Sequence, residues 1–278
     1  MAAATQLTEQ LRWMSCRGGS APVSFADALF AGWSEDGGMF MPTFIPCVTI
    51  AALRSWSGLS YPEVCERVLS KFIPESALSR LELNIILGKA FERFGHQDVV
   101  TTKPLHAHSP PLNVLELWHG PTLAFKDLGM TVLCEMLDHL LTKDDRRLTL
   151  IVGTSGDTGA SALEACRTVA CLDCVVLYPL GRVSTVQEGQ MLQADQQCGN
   201  AHVIAVEGSS DDLDRPCEAI QQDRAFKKRH CIGTINSVNI VRMLVQVCHY
   251  FYSYLETANL DATASTPRRT FVIPSGAA

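Results

Sequence analysis

The chain has 278 residues, of which 23 are Lys or Arg and 29 are Asp or Glu, so its formal net charge is −6; 47% of the residues are hydrophobic. This length accommodates one large domain or two ordinary ones, and the apolar fraction is too high for an intrinsically disordered chain. The acidic balance, without a long Lys/Arg run, counts against a nucleic-acid-binding protein and favours an enzyme or a ligand-binding protein.

Eleven cysteines are scattered along the chain, and their odd number does not fit a secreted disulfide scaffold. The CxxC motif from Cys171 to Cys174 has no second ligand pair at zinc-site spacing, and neither have His106 and His108, so we predict no metal site. We expect reduced cysteines that pack as small hydrophobes. No secretory signal is apparent and no apolar run approaches the ~20 residues of a membrane span, which predicts a cytoplasmic protein.

Residues 1–100 are predicted to form a mainly helical N-terminal domain, with a soft boundary at its end. A stretch dense in Gly and Pro, 34–46, is typical of an ordered loop. Apolar residues then recur at helical spacing over 51–94, where Ser57 and Ser76 are plausible helix starts.

Residues 101–278 alternate between strands and helices, after a polar, Pro-containing linker or crossing loop over 101–111. This alternation predicts an α/β domain with a mainly parallel sheet. Asp127 is placed to cap one helix, and a Ser184-x-x-Gln187 capping box begins another. The predicted strands cover 114–118, 148–152, 174–178, 202–206 and 271–273. The predicted helices cover 128–140, 157–169, 184–191, 211–222 and 238–254.

The last predicted strand runs into Pro274-Ser275-Gly276-Ala277-Ala278, where the sequence ends. In α/β sheets, ligands bind in the loops that follow the carboxyl ends of strands. A strand that ends in such a loop lacks the helix that normally follows it. We therefore expect the C-terminal part of the α/β domain to be missing from this chain.

The segment Gly153–Gly159 joins a predicted strand to a predicted helix. Its hydroxyls, backbone N–H groups and helix N-terminus suit an anion. It lacks the GxxxxGK[ST] spacing of a phosphate-binding P-loop, and its GxxGxxG spacing differs from the GxGxxG dinucleotide fingerprint. A tight turn followed by a capped helix explains the segment equally well.

Two basic residues stand at other predicted helix starts. Lys126 is either exposed to solvent or, if desolvated, presents a neutral amine that can form a Schiff base. Arg242 lies in the first turn of the last helix, where Asn236 or Ser237 is a plausible N-cap. Arg242 is therefore either a surface charge or the guanidinium fork of a second anion site.

Five segments occur in an order and at spacings that chance explains poorly. They are Glu-Leu-Trp-His-Gly-Pro-Thr-Leu-Ala-Phe-Lys-Asp at 116–127, Thr-Ser-Gly-Asp-Thr-Gly at 154–159, Asn-Ser-Val-Asn at 236–239, Ser-Cys-Arg-Gly at 15–18 and Asp-Gly-Gly-Met-Phe-Met-Pro at 36–42. Together they closely resemble the motifs of the threonine synthase family, from about residue 13 to the end. The closing Pro-Ser-Gly-Ala-Ala is more similar to the animal threonine synthase-like proteins than to fungal synthases.

This resemblance implies a pyridoxal-phosphate enzyme of fold type II, the tryptophan synthase β-like fold, with a threonine-synthase-type N-terminal domain. The cofactor would be pyridoxal 5′-phosphate, attached to Lys126, which would also move protons at the substrate carbons. Asp157 would lie near the ring hydroxyl of the cofactor. Gly276, Ala277 and Ala278 would begin the loop that cradles the cofactor phosphate.

The binding partner implied by the resemblance is a small phosphorylated amino acid, with no nucleic acid and no membrane; the oligomeric state is left open. The residues that would hold the carboxylate of this substrate are Thr154, Ser155 and Gly156. The residues that would bind its phosphate are Thr158, Asn236, Ser237 and Arg242.

We predict a lyase that eliminates phosphate from O-phosphothreonine or O-phosphohomoserine and leaves 2-oxobutanoate and ammonia. The similarity of the closing loop favours this reaction over threonine synthase, which adds water and releases threonine. A truncated product that binds or signals without catalysis is the remaining alternative. The sequence departs from the family pattern at Cys16 and Ile240, where Thr and Trp are usual, and in the missing C-terminal part.

Overall fold

The computed structural model describes residues 7–105, 112–258, 260 and 267–273. Within these ranges the strands are β1 (Trp13–Ser15), β2 (Phe40–Pro42), β3 (Thr101–Leu105), β4 (Leu112–Glu116), β5 (Leu148–Gly153), β6 (Leu172–Pro179), β7 (Ala201–Val206) and β8 (Ile232–Gly233). The helices with both ends in these ranges are α1 (Phe25–Ala31), α2 (Ile50–Ser55), α3 (Tyr61–Leu69), α4 (Arg80–Phe91), α5 (Lys126–Lys143), α6 (Asp157–Cys166), α7 (Thr185–Gln197), α8 (Ser210–Gln222), α9 (Arg224–His230) and α10 (Ile240–Thr257).

A four-stranded parallel sheet, in the order β7-β6-β5-β8, organises the second part of the chain. Strand β5 pairs with β6 along its whole length, from Leu148 opposite Leu172 to Gly153 opposite Leu177. Helices α6 and α8 both contact β5, as expected for a parallel sheet, whose crossover helices cover its faces. The predicted α/β fold with a mainly parallel sheet is therefore confirmed.

Helices α5 and α10 connect the two parts of the chain. Most residues of α5 are buried, and the helix packs against α4, α6 and α10. Helix α10 also contacts α1 and α3, and Tyr61 packs edge-on against Tyr252 at 5.5 Å between ring centroids. The N-terminal helices and the α/β part thus share one hydrophobic core, which holds the start of α5 beside α10.

Two helices of the N-terminal part begin three residues later than Ser57 and Ser76, the helix starts that the sequence suggested. Helix α3 begins after Ser60 and α4 after Ser79, and each start is a capping box completed by Glu63 or Glu82. A carboxylate three residues beyond the capping serine accepts a hydrogen bond from a second backbone N–H group. Ser57 and Ser76 have no carboxylate at that spacing. Strand β2 also lies inside the stretch predicted as a loop, where it pairs antiparallel with β1.

The loop predicted over 101–111 is wrong for its first five residues. Strand β3 pairs antiparallel with β4 from Thr101 opposite Glu116 to Leu105 opposite Leu112. Pro104 hid this strand, but an edge strand of a two-stranded sheet tolerates a residue without an N–H donor. Residues 106–111, and with them His106 and His108, lie outside the described residues.

Two predicted helix caps are also wrong. Phe125 is the N-cap of α5, without a side-chain hydrogen bond, and Asp127 lies within the first turn. Helix α10 is capped by Asn239, whose Oδ1 accepts from the Val241 N–H at 3.1 Å, and not by Asn236 or Ser237. Asn239 Nδ2 also donates to Leu29 O at 3.0 Å, so the cap that is used ties α10 to α1.

The strand predicted over 271–273 does not form. These residues are described, but they are exposed and belong to none of the sheets in the described ranges. Phe271 packs edge-on against Tyr250 of α10, with 5.1 Å between ring centroids. A β-branched apolar run becomes a strand only where a neighbour supplies its hydrogen bonds, and no such neighbour faces these residues within the described part of the chain.

All eleven cysteines lie in the described ranges, and none forms a disulfide. The buried ones are Cys65, Cys134, Cys166, Cys174, Cys217 and Cys248. They pack as small hydrophobes, as predicted, whereas Cys16, Cys47 and Cys231 are exposed. Among the described residues we find no group of three or more His, Cys, Asp or Glu placed to hold a metal ion. None of the described helices is long and apolar enough to cross a membrane.

Candidate active site

Lys126 lies at the first position of α5 and forms an ion pair across to α6. Its Nζ is 3.2 Å from Asp157 Oδ2, and the two side chains are 21% and 46% exposed. The Lys126 Nζ also lies 4.7 Å from the centroid of the Phe125 ring. The amine is therefore held at the entrance between the N-termini of α5 and α6, where a small molecule can reach it.

Asp127 fixes the turn that precedes Lys126. Its Oδ2 accepts from the Thr122 N–H at 2.8 Å, and its Oδ1 accepts from Thr122 Oγ1 at 2.6 Å and from Ser161 Oγ at 2.5 Å. Gly120 is packed so closely that an added Cβ would lie 2.5 Å from Asp127 Cβ. The carboxylate thus joins the turn, α5 and α6 at the base of the Lys126 side chain.

Replacing Asp127 with Ala should lower the free energy of unfolding by about 3–5 kcal/mol. The change leaves three hydrogen-bond donors without their acceptor at a site that is 1% exposed, and such groups are costly to bury unpaired. The matched control is Asp144→Ala at the other end of α5, because Asp144 is exposed in its pair with Arg146; its effect should stay below about 0.5 kcal/mol. Urea unfolding measures both, and equal losses would contradict the role of Asp127.

The loop between β5 and α6 has the geometry of a capped helix start. Thr154 Oγ1 accepts hydrogen bonds from the N–H groups of Gly156 and Gly159, each at 2.9 Å. Gly156 has a φ of 144°, a conformation that side chains rarely adopt. Ser155 is exposed and Thr158 half-buried at the N-terminus of α6. The loop therefore combines a tight turn with a helix N-terminus that is open to an anion.

Gln187 is a site residue that the sequence did not reveal as one. It completes the predicted capping box, because its Oε1 accepts from the Ser184 N–H at 3.0 Å. Its Nε2 also donates to Asp157 Oδ1, and an added Cβ on Gly156 would clash with its amide oxygen. The capping signal explained this glutamine completely, so nothing in the sequence pointed to its second contact.

Arg242 is a buried cation, not a surface charge. It is 4% exposed and packs beside Gly129, where an added Cβ would lie 3.5 Å from Arg242 Cα. Its Nη1 donates to Ile235 O at 3.1 Å, and no carboxylate of the described residues forms an ion pair with it. Burial lowers the pKa of the guanidinium to about 10. A buried cation with no counter-charge is poised to bind an anion.

The structure brings Arg242 and Lys126 together in one pocket. The residues that line this pocket are Phe125, Lys126, Gly129, Arg242, Gln246 and His249. His249 and Gln246 were not singled out by the sequence, although both lie on the face of α10 that carries Arg242. The pocket is thus formed by the first turn of α5 against one face of α10.

The remaining predicted site residues do not line this pocket or lie outside the described residues. Asn236 and Ser237 lie in the turn before α10; Asn236 is half-buried and its Oδ1 has no partner, while Ser237 is exposed. Gly276, Ala277 and Ala278 lie outside the described residues.

Comparison with known protein families places this site in a class. Residues 101–277 match the family model described as pyridoxal-phosphate dependent enzyme, and residues 12–91 match that described as threonine synthase N terminus. The chain therefore belongs to the pyridoxal-phosphate-dependent enzymes, whose cofactor is pyridoxal 5′-phosphate. Comparison with individual proteins narrows this class to the threonine synthase family, to which the chain belongs.

Similar proteins include threonine synthase-like 2 of Homo sapiens, 42% identical over 267 residues that cover 96% of this chain and 54% of that protein. Threonine synthase of Schizosaccharomyces pombe is 37% identical over 278 residues, 97% of this chain and 52% of that protein. The chain spans about half the length of these relatives.

Solved structures show the same relationship. The crystal structure of PLP-bound threonine synthase from Brucella melitensis matches with a TM-score of 0.79 and 34% identity, over 91% of this chain and 52% of that one. Threonine synthase from yeast matches with a TM-score of 0.81 and 30% identity, over 90% and 50%. The predicted fold type II with a threonine-synthase-type N-terminal part is confirmed.

Proposed function

We propose that this chain belongs to a lyase that removes phosphate from O-phosphothreonine or O-phosphohomoserine and yields 2-oxobutanoate and ammonia. The observation that carries the proposal is the buried Arg242, unpaired with any described carboxylate, in the same pocket as Lys126. A site of this kind suits an anionic ligand, and a phosphorylated amino acid supplies one. Water enters and phosphate leaves, so that substrate plus water balances 2-oxobutanoate, ammonia and phosphate.

The residues of the site fit pyridoxal phosphate. Lys126 offers the primary amine for covalent attachment, and Asp157, at 3.2 Å from it, is the group we place near the ring hydroxyl of the cofactor. When bound, the cofactor supplies an electron sink for negative charge that develops at the substrate carbons. Lys126 Nζ, held between α5 and α6, is then the group that takes and returns the proton at those carbons.

The anionic groups of the substrate are assigned to separate parts of the site. We propose that the turn of Thr154, Ser155 and Gly156 holds the carboxylate at the N-terminus of α6, where the Thr154 hydroxyl already fixes the turn. The residues proposed for the phosphate are Thr158, Asn236, Ser237 and Arg242. Of these, Arg242 has the strongest support, because a buried guanidinium stabilises a leaving phosphate more than an exposed one does.

We also propose the division of the chain at residue 100, with Gly276, Ala277 and Ala278 in the loop for the cofactor phosphate. The matched ranges of the two family models, 12–91 and 101–277, support the division. The loop assignment depends on the sequence resemblance alone.

Threonine synthase activity is the second candidate. The 37% identity to the fission yeast threonine synthase favours it. Both reactions would use the same amine and the same anion sites. The preference for the lyase depends on the closing loop of the sequence.

Product analysis separates these reactions. The cofactor-loaded chain is incubated with O-phosphohomoserine and, in a second sample, with O-phosphothreonine, and the products are separated. The proposal predicts 2-oxobutanoate, ammonia and phosphate in equal amounts. Threonine as the main product would contradict the lyase proposal and support threonine synthase activity. Firm cofactor retention without any turnover would favour a chain that binds without catalysis.

A further inference from the structure

His249 lines the same pocket as Lys126 and Arg242 and has an unused nitrogen. Arg242, Gln246 and His249 are spaced by four and three residues, so they lie on one face of α10. His249 is 6% exposed, and its Nε2 is buried without a hydrogen-bond partner. A buried polar nitrogen without a partner is uncommon in proteins and indicates a function or a ligand.

The other ring nitrogen of His249 is held by Tyr61 of α3. The Tyr61 hydroxyl lies 2.8 Å from His249 Nδ1, and Tyr61 is fully buried. Burial raises the pKa of the Tyr61 phenol well above its usual range, so the hydroxyl keeps its proton and is able to donate a hydrogen bond to Nδ1. A neutral imidazole that accepts at Nδ1 carries its own proton on Nε2.

The imidazole is neutral because of its surroundings. Burial lowers the pKa of His249 to about 4, because a charged imidazole loses its hydration there. The ring is thus neutral, and its Nδ1 is held by a tyrosine from the N-terminal part of the chain.

We propose that His249 presents its Nε2–H to the phosphate that Arg242 binds, and that Tyr61 is the positioning residue that sets this tautomer. The inference rests on the proposed anion site and adds to it a neutral donor supplied through the N-terminal helices. Arg242, Gln246 and His249 are among the residues that line the pocket, each carries a hydrogen-bond donor group, and no described carboxylate lines it. The ligand chemistry that this donor set recognises is a phosphate oxygen, from either the substrate or the cofactor.

The test measures inorganic phosphate binding to the cofactor-loaded chain by calorimetry. His249→Leu and Tyr61→Phe should each weaken binding by about tenfold or more, the usual effect of losing a hydrogen bond to a charged group, and His249→Gln should restore part of it. His202→Leu is the control, because His202 is exposed on β7; it should leave binding unchanged. If the variants lose cofactor retention instead, the donor serves the cofactor phosphate.

Nitrogen NMR of labelled histidine supplies a readout that does not depend on binding. We expect the Nε2–H tautomer of His249 in the wild-type chain and its loss in Tyr61→Phe. An Nδ1–H tautomer in the wild type, or folded variants with unchanged phosphate and cofactor binding, would overturn the inference. Arg242→Met separates the proposed anion site from the added role of His249. If this variant too leaves phosphate binding unchanged, the proposed anion site fails as well. If Arg242→Met weakens phosphate binding and the His249 variants do not, only the role of His249 is overturned.

Discussion

Replacing Lys126 with Ala is expected to abolish stable retention of pyridoxal phosphate and to lower kcat by about 10²–10⁴-fold or more, the range that a positioned proton-transfer group contributes. The change removes the only amine that the described pocket offers for covalent attachment. It also removes the proton carrier that lies 3.2 Å from Asp157. The visible absorbance of the bound cofactor after dialysis, together with steady-state rates, measures both effects.

The control for Lys126 is Lys143→Ala, at the other end of the same helix. Lys143 pairs with Glu82 and is half-exposed, so its loss should leave cofactor absorbance and kcat unchanged. If the absorbance survives in Lys126→Ala, or disappears equally in Lys143→Ala, the assignment of Lys126 is wrong.

Replacing Arg242 with Met should separate binding from stability. Phosphate binding should weaken by about 10–100-fold, because a charge-assisted hydrogen bond to the ligand is lost. The free energy of unfolding should stay within about 1 kcal/mol of the wild type, since the lost bond to Ile235 O is opposed by relief of a buried, unpaired charge. Calorimetric titration with inorganic phosphate and urea unfolding give the two quantities.

Arg147→Met is the matched control for Arg242. Arg147 is 62% exposed in its pair with Asp173, so neither quantity should change appreciably. A large loss of stability in Arg242→Met with unchanged phosphate binding would mean that the guanidinium is structural, and the anion site would have to be placed elsewhere.

The sequence predicted those elements whose signals are local. The buried apolar run of β5 and the capping box at Ser184 depend only on neighbouring residues, and both predictions are confirmed. Ser57 and Ser76 failed as helix starts because a serine alone does not distinguish a cap, whereas a glutamate three residues later does. The strand β3 was missed because a proline such as Pro104 indicates the end of a strand unless that strand is known to lie at the edge of a sheet.

The site was predictable only where one residue has one role. Lys126 and the loop at Thr154 lie within motifs and Arg242 follows one closely, and the structure brings Lys126 and Arg242 into one pocket. Gln187 and His249 were missed, because the sequence explains one as a capping residue and the other as part of an apolar helix. Their contacts join segments that are distant along the chain, and His249 meets Tyr61 across 188 positions.

The central claim is that Lys126 carries the cofactor, and one measurement tests it directly. The cofactor-loaded chain is reduced with borohydride, digested and analysed by mass spectrometry. We predict that the reduced cofactor is found on the peptide that contains Lys126 and on no other. Modification of a different lysine, or a chain that keeps the cofactor absorbance yet yields an unmodified Lys126 peptide, would contradict the account.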